Sequence, residues 1–389
     1  MLSNPLIATV LIFALIAFGE WLSIVTRARV PMLLTVMVSF LLLMWTGIFP
    51  EDIMEKSTLP ILGAMFIGPA IVHMGTMIPF SLLKTQYKAV LIALGGVFIS
   101  GVVILIIIPI IFDYPTAVAG IGPVTGGTIA LIITTEKLTE LGITSIIAIP
   151  VLIAAFQGLL GMPLAMYFLR KYSFVIQEEI DNGSFVPMME EEAEVTNGAN
   201  GEKQNPLKKS MMLKLFYVFV GGAIGVALGE LTPIHYSLWC LGIGVAGLKL
   251  GLLEAKALEK SNSFTLVMLG ILFVIIGTME GVTPGQVLKN LPGIITILLI
   301  GTAGITLGGY IVSRLVKWHP FKGMPVALTA LIGFPGDYIL CEEVSRSIAR
   351  TEEEEKTIFN ELLAPMLIGG FTTVTAVSIV IASILVETL

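Results

Sequence analysis

The chain has 389 residues, 56% hydrophobic and only 13% charged, with a formal net charge of −6 and a mean hydropathy of +0.95. Such a composition excludes a soluble globular enzyme and makes the bilayer the solvent for most of the chain. Two cysteines with no metal-ligand or disulfide spacing, and the lack of P-loop, HExxH, Gly-x-Ser-x-Gly and haem motifs, give no support to redox chemistry, ATP hydrolysis or ester hydrolysis.

Apolar segments run over 5–26, 30–49, 58–79, 89–112, 115–134 and 143–168, then over 211–231, 235–252, 263–281, 292–313, 324–341 and 360–387. Most are long enough to cross about 30 Å of hydrocarbon, so the chain reads as an all-α polytopic membrane protein. The first follows Met1-Leu2-Ser3-Asn4-Pro5, which lacks the basic stretch of a signal peptide, and is expected to be a retained membrane helix. Residues 172–210 form the one long polar stretch, rich in Gly, Asn and Glu, and are expected to be a cytoplasmic linker between two halves of the chain, 1–171 and 211–389.

The halves share sequence. Pro150-Val151-Leu152-Ile153-Ala154-Ala155-Phe156 reads like Pro365-Met366-Leu367-Ile368-Gly369-Gly370-Phe371, and Gly63, Phe66 and Gly101 precede Gly270, Phe273 and Gly308 by one constant spacing. These matches predict an internal duplication. The basic residues refine it. With twelve crossings neither orientation concentrates Lys and Arg on one side. If 115–134 and 324–341 instead enter and leave on the same side, only Lys56, Lys137 and Lys289 lie outside, and 19 of the 22 basic residues lie inside. The expected architecture is therefore ten membrane-spanning helices and two re-entrant segments, with both termini outside. Five spans per half is odd, so the two repeats are inverted in the membrane.

Both expected re-entrant segments carry a Gly/Pro break, Gly120-Ile121-Gly122-Pro123-Val124-Thr125-Gly126-Gly127-Thr128 in the first and Gly333-Phe334-Pro335-Gly336-Asp337 in the second. Each break divides about twenty residues into arms of about 15 Å, enough to reach only the midplane. Irregular backbone at that depth requires burial in protein or a wet cavity. Thr128 and Asp337 each follow a Gly and open an apolar helix, where free N–H groups and the helix dipole attract anions and broken-helix carbonyls can hold sodium. The same positions are compatible with plain helix caps. A carboxylate at membrane depth is costly, which favours a functional role for Asp337.

Gln157 and Thr372 follow Phe156 and Phe371 in the duplicated motif, and either face the breaks or hydrogen-bond between helices; Thr373 and Thr375 carry a weaker form of the same argument. Glu342 and Glu343 lie beyond Asp337 and form either a cation or proton relay or, for Glu342 with Arg346, an i,i+4 ion pair. All 22 basic residues are expected in loops or at helix ends, with none buried.

From Ala117 to Lys171, Gly126-Gly127, the polar helix after it, Glu136 to Gly142 and the small-residue helix ending Tyr167-Phe168-Leu169-Arg170-Lys171 resemble the first re-entrant loop and following span of the bacterial glutamate:sodium symporters. More loosely, they are similar to the wider ion-transporter group that includes 2-hydroxycarboxylate carriers. Gly333-Phe334 resembles that family's Gly-Phe at the opposite loop. The sequence departs from the family where Thr128 and Ile129 follow Gly127 instead of His-Gly, and where Pro335-Gly336-Asp337 replaces small neutral residues. The resemblance implies a sodium-coupled carrier of small carboxylates, a homodimer that moves its site by an elevator-like displacement. The added Asp leaves the substrate open between a carboxylate, a zwitterion and a cation.

These readings converge on a secondary active transporter for a small carboxylate or amino acid, not an enzyme, in the bacterial cytoplasmic (inner) membrane. Its expected substrate site comprises Thr125, Gly126, Gly127, Thr128, Gln157, Gly336, Asp337 and Thr372, and its coupling-cation site Asp337, Glu343 and Thr373. Sodium is the expected coupling ion, with no other cofactor and no nucleic-acid partner. The alternative is an ion or small-solute channel built on the same two re-entrant loops.

Overall fold

A computed structural model describes residues 4–50, 52–77, 86–126, 128–143, 146, 148–185, 210–232, 234, 236–277, 279, 280, 282–373 and 377–389, and among these every regular element is helical. Helices α1 (Pro5–Val25), α2 (Met32–Trp45), α3 (Ile53–Ser57), α4 (Leu59–Met77), α5 (Tyr87–Ile111), α6 (Tyr114–Val124), α7 (Thr128–Glu140) and α8 (Ala148–Asp181) precede the polar stretch. Helices α9 (Met211–Leu231), α10 (Tyr236–Lys249), α11 (Ala257–Lys260), α12 (Phe264–Gly277), α13 (Pro284–Leu315), α14 (Pro320–Leu328), α15 (Gly336–Ile348), α16 (Glu352–Thr372) and α17 (Ser378–Val386) follow it. Among the described residues six helices are long and apolar enough to cross a membrane, namely α1, α4, α5, α8, α9 and α13 from Val287. Helices α2, α10 and α12 have 14 residues each, about 21 Å of rise against a core of about 30 Å.

Several boundaries differ from the sequence expectation. The first broken segment extends past residue 134 to Glu140, and the second starts at Pro320 and ends at Ile348, outside the expected 324–341 on both sides. Helix α8 continues to Asp181, so the first ten residues assigned to the linker are helical. The reason is a buried stripe at helical spacing, formed by Leu169, Tyr172, Ser173 and Ile176. Residues 186–209 of the linker lie outside the described residues. Within the expected segment 360–387, α16 runs to Thr372 and α17 begins at Ser378, and residues 374–376 lie outside the described residues. The acidic run Glu352 to Glu355 is the first turn of α16, where Thr351 Oγ1 accepts the Glu354 N–H at 3.2 Å and the helix dipole favours carboxylates.

The chain forms two compact units, one of residues 1–57, 86–184 and 276–389, the other of 58–85 and 185–275. In the smaller unit α4 packs on α9, α10 and α11. Helices in hydrocarbon gain no hydrophobic drive to associate, so small residues that permit close backbone approach set the interface. Gly75 and Gly244 supply it here: a Cβ on Gly244 would lie 2.8 Å from Gly75 Cα. Gly63 meets Gly270 backbone to backbone, and the Phe66 ring covers Gly270. His73 is fully buried, its Nδ1 accepting the Leu258 N–H at 3.2 Å, which fits a structural role.

In the larger unit α5 and α13 cross antiparallel along Gly95, Gly96, Ser100, Gly304 and Gly308. A Cβ on Gly308 would lie 2.7 Å from Gly96 Cα, and one on Gly304 would lie 2.7 Å from Ser100 Cα. Ser100 Oγ donates to the Gly301 carbonyl at 2.9 Å. Gly308 thus meets Gly95 and Gly96, while a Cβ on Gly101, its counterpart by sequence spacing, would meet nothing within 4 Å.

Both broken segments rest on this frame. Helix α6 packs on α5, α8 and α13, and α14 packs on α5, α8, α13 and α16. Asp113 opens α6 by accepting the Thr116 N–H at 2.7 Å, with Pro115 in its first turn. The chain breaks at Gly126, whose φ of +97° is open to glycine and strained for other residues. Helix α14 begins at Pro320 behind His319, whose Nδ1 accepts the Phe321 N–H at 3.2 Å. It tightens into a 3₁₀ turn at Thr329–Leu331, turns at Gly333 with φ +68° and resumes as α15. With 11 residues in α6 and 13 each in α7 and α15, every arm is at most about 20 Å long.

Candidate functional site

Asp337 lies in the first turn of α15 and is fully buried. Its Oδ1 accepts the Tyr338 N–H at 2.9 Å, which uses one donor that the helix start leaves free. Its Oδ2 is buried and has no hydrogen-bond partner among the described residues. A buried carboxylate oxygen without a partner loses its hydration with no return, an arrangement that marks a functional site more often than a structural one.

Helix α16 supplies the opposite wall. Gly370 faces Asp337 so closely that a Cβ there would lie 2.6 Å from Oδ2 and 3.6 Å from Thr329 Cβ. Thr329 and Thr373 are fully buried. Thr329 Oγ1 donates to the Val326 carbonyl at 2.6 Å, and Thr373 Oγ1 lies 3.2 and 3.1 Å from the carbonyls of Gly369 and Gly370. Each hydroxyl spends its single proton on backbone and keeps only lone pairs for anything else. Asp337 and Thr329, which both lie against Gly370, therefore offer oxygen acceptors, the donor set that suits a hard monovalent cation or a protonated group. Gly370→Ala is expected to lower stability by about 1–3 kcal/mol through overpacking and to displace the Asp337 carboxylate. A denaturation curve of the purified variant measures the first effect.

The remaining expected site residues are placed as follows. Gly336 starts α15 and packs 3.7 Å from Met162 Cε on α8 if given a Cβ, and Gly161 on α8 meets Leu331 and Ile332. The second break thus abuts the α8 turn that follows Gln157. Gln157 is half-buried, and its Oε1 has no partner among the described residues. Thr372 Oγ1 bonds its own helix at the Ile368 carbonyl, 2.6 Å away. Thr125 is fully buried with Oγ1 donating to the Gly122 carbonyl at 2.9 Å, beside buried Gly126. Thr128 opens α7. Gly127 and Thr375 lie outside the described residues. Glu343 is buried and engaged: its Oε2 accepts Ser23 Oγ at 2.7 Å, and its carboxylate caps α2 through the Met32 N–H at 3.1 Å. Arg346 pairs with Glu20 at 3.2 Å, where the sequence suggested Glu342.

One cluster overturns the expectation that no basic residue is buried. Lys322, in the first turn of α14, is 7% exposed and ion-pairs with Glu361 of α16, itself 6% exposed. The Tyr172 hydroxyl of α8 lies 3.5 Å from Glu361 Oε1, and the Lys322 ammonium sits 4.9 Å from the Trp318 ring centroid and 5.3 Å from that of Tyr172. The pair fixes the foot of the second broken segment to α8 and α16 and neutralises its own charge. At the far end of α16, the Arg350 guanidinium binds Glu354 and Asp181 at 2.9 and 2.8 Å. Its hydrogen bond holds the Glu354 carboxyl below the usual carboxylate range.

Among the described residues no group of three or more His, Cys, Asp or Glu side chains could hold a metal ion. No protein-family model matches the chain, and no curated protein matches it at a significant level.

Proposed function

We propose that this membrane protein is a cation-coupled secondary active transporter for a small carboxylate or amino acid, with sodium as the expected coupling ion. In this reading α6–α7 and α14–α15 are two re-entrant hairpins in a pair of inverted five-span repeats, and alternating access is elevator-like in a homodimer. The observation that carries it is Asp337, a fully buried carboxylate at a helix break with one oxygen that has no partner among the described residues.

The helix order supports the repeat. Lengths of 21, 14 and 13 residues in α1, α2 and α7 recur as 21, 14 and 13 in α9, α10 and α15. Gly63 and Gly270, matched by sequence spacing, touch each other, as residues near a pseudo-two-fold axis do. Asp337 with the lone pairs of Thr329 and Thr373 would hold the cation. Gln157 and the backbone around Gly336 would face the substrate, and Thr125, Gly126, Gly127 and Thr128 would supply the opposing tip. Glu343, whose oxygens already serve Ser23 and Met32, is left with a structural role.

The test is thermal stabilisation of the purified protein by a panel of amino acids and carboxylates in sodium, potassium or choline chloride, because a ligand that binds only the folded state raises its stability. The transporter reading predicts stabilisation that needs sodium and substrate together, by about 2.7 kcal/mol at a hundredfold excess over Kd. Stabilisation by substrate that is indifferent to the cation would contradict coupling.

A further inference from the structure

A second surface of the larger unit carries charge that its own carboxylates leave unneutralised. Where α1 ends, the Thr26–Pro31 turn is held by backbone bonds from Arg27 to Ile24 (3.0 Å) and from Ala28 to Ser23 (2.8 Å). Arg27 and Ala28 adopt left-handed φ values of +52° and +49°. The turn leaves Arg27 and Arg29 exposed. Beneath it, Arg170 of α8 donates to the Arg27 carbonyl oxygen and to Ser347 Oγ, so a third guanidinium is fixed beside the first two. Exposed Lys171 follows, its ammonium 5.8 Å from the Tyr167 ring centroid.

Among the described residues none of Arg27, Arg29, Arg170 and Lys171 has a carboxylate partner. Of the acidic groups on this side, Glu20 pairs with Arg346 and Glu343 accepts from Ser23 and Met32. Aromatic side chains flank the patch. Phe18 and Trp21, stacked at 5.9 Å on the last turns of α1, are 46% and 56% exposed, and Tyr167 is 52% exposed. Exposed Trp and Tyr next to Arg and Lys mark the depth of lipid headgroups. Ile24 and Val25, 56% and 60% exposed, continue the surface as lipid-facing apolar side chains.

We propose that this patch binds the phosphate of an anionic phospholipid, with Arg27, Arg29 and Arg170 as the phosphate ligands and Trp21 and Tyr167 against the glycerol region. A soluble anion would have no use for the aromatic rim and the apolar surface that continues from it. The arrangement is independent of what the protein transports.

The experiment measures phosphatidylglycerol binding by native mass spectrometry and by thermal stabilisation in phosphatidylcholine nanodiscs doped with that lipid. A basic residue at an anionic surface contributes about fivefold to binding, so Arg27→Gln with Arg29→Gln is expected to weaken phosphatidylglycerol binding about 25-fold, and Lys289→Gln to leave it unchanged. Wild-type binding should also weaken as ionic strength rises. Unchanged binding by the double variant would overturn the proposal, as would equal stabilisation by phosphatidylcholine or full displacement of the lipid by inorganic phosphate. If the double variant fails to fold, the salt titration of the wild type decides, and salt-independent binding refutes the proposal.

Discussion

Asp337→Asn is expected to abolish cation-driven uptake while leaving the protein folded. The substitution keeps the shape of the side chain, and its carbonyl oxygen can still accept the Tyr338 N–H that Oδ1 accepts now. It removes the carboxylate charge that lies against Gly370, against which Thr329 also packs. Removing one partner from a buried charge pair costs about 3–5 kcal/mol, a factor of about 10²–10⁴ in cation occupancy. Uptake in proteoliposomes should fall by that factor, whereas the melting temperature should move by only a few degrees. Because Oδ2 has no partner among the described residues to lose, the folded state sacrifices little. Uptake that persists with normal cation dependence in a folded Asp337→Asn protein would remove Asp337 from the site.

The Lys322–Glu361 pair gives the largest expected effect on stability. Both groups are buried and answer each other, so Lys322→Met or Glu361→Leu alone strands a charge and should cost about 3–5 kcal/mol. The double variant Lys322→Met with Glu361→Leu strands neither. Its cost should fall well below the sum of the two singles and be close to neutral, as observed when buried pairs give way to apolar residues of similar volume. Denaturation of all three variants closes the cycle, and additive losses would show that the two groups act independently. The pair lies at the foot of α14 rather than at the break near Gly333, so the double variant should keep the ligand stabilisation that the proposed function predicts.

The breaks were legible because glycine and proline announce them. Gly126 and Gly333 sit at positive φ, and Asp113-Tyr114-Pro115 and His319-Pro320 open the arms with a cap and a proline. Asp337 stood out as a carboxylate in an apolar run. Lys322 did not, because it follows Trp318-His319-Pro320 and reads as an interfacial lysine. What buries it is Glu361, 39 residues further on, together with Tyr172 on a third helix. Pairings of that kind are set by tertiary packing and leave no local pattern. Arg346 makes the same point, since the local candidate Glu342 loses to Glu20 on α1. The length of α8 was legible in principle, for Leu169, Tyr172, Ser173 and Ile176 follow helical spacing into the polar stretch.

Carriers and channels built on two broken segments differ in one measurable respect. Once a sodium-dependent ligand is identified, its uptake into proteoliposomes under an inward sodium gradient distinguishes them directly. The transporter account predicts accumulation above the external concentration that collapses when an ionophore dissipates the gradient and is absent in Asp337→Asn. Flux that only equilibrates the solute, at the same rate with or without the gradient, would contradict it and assign the fold to a channel.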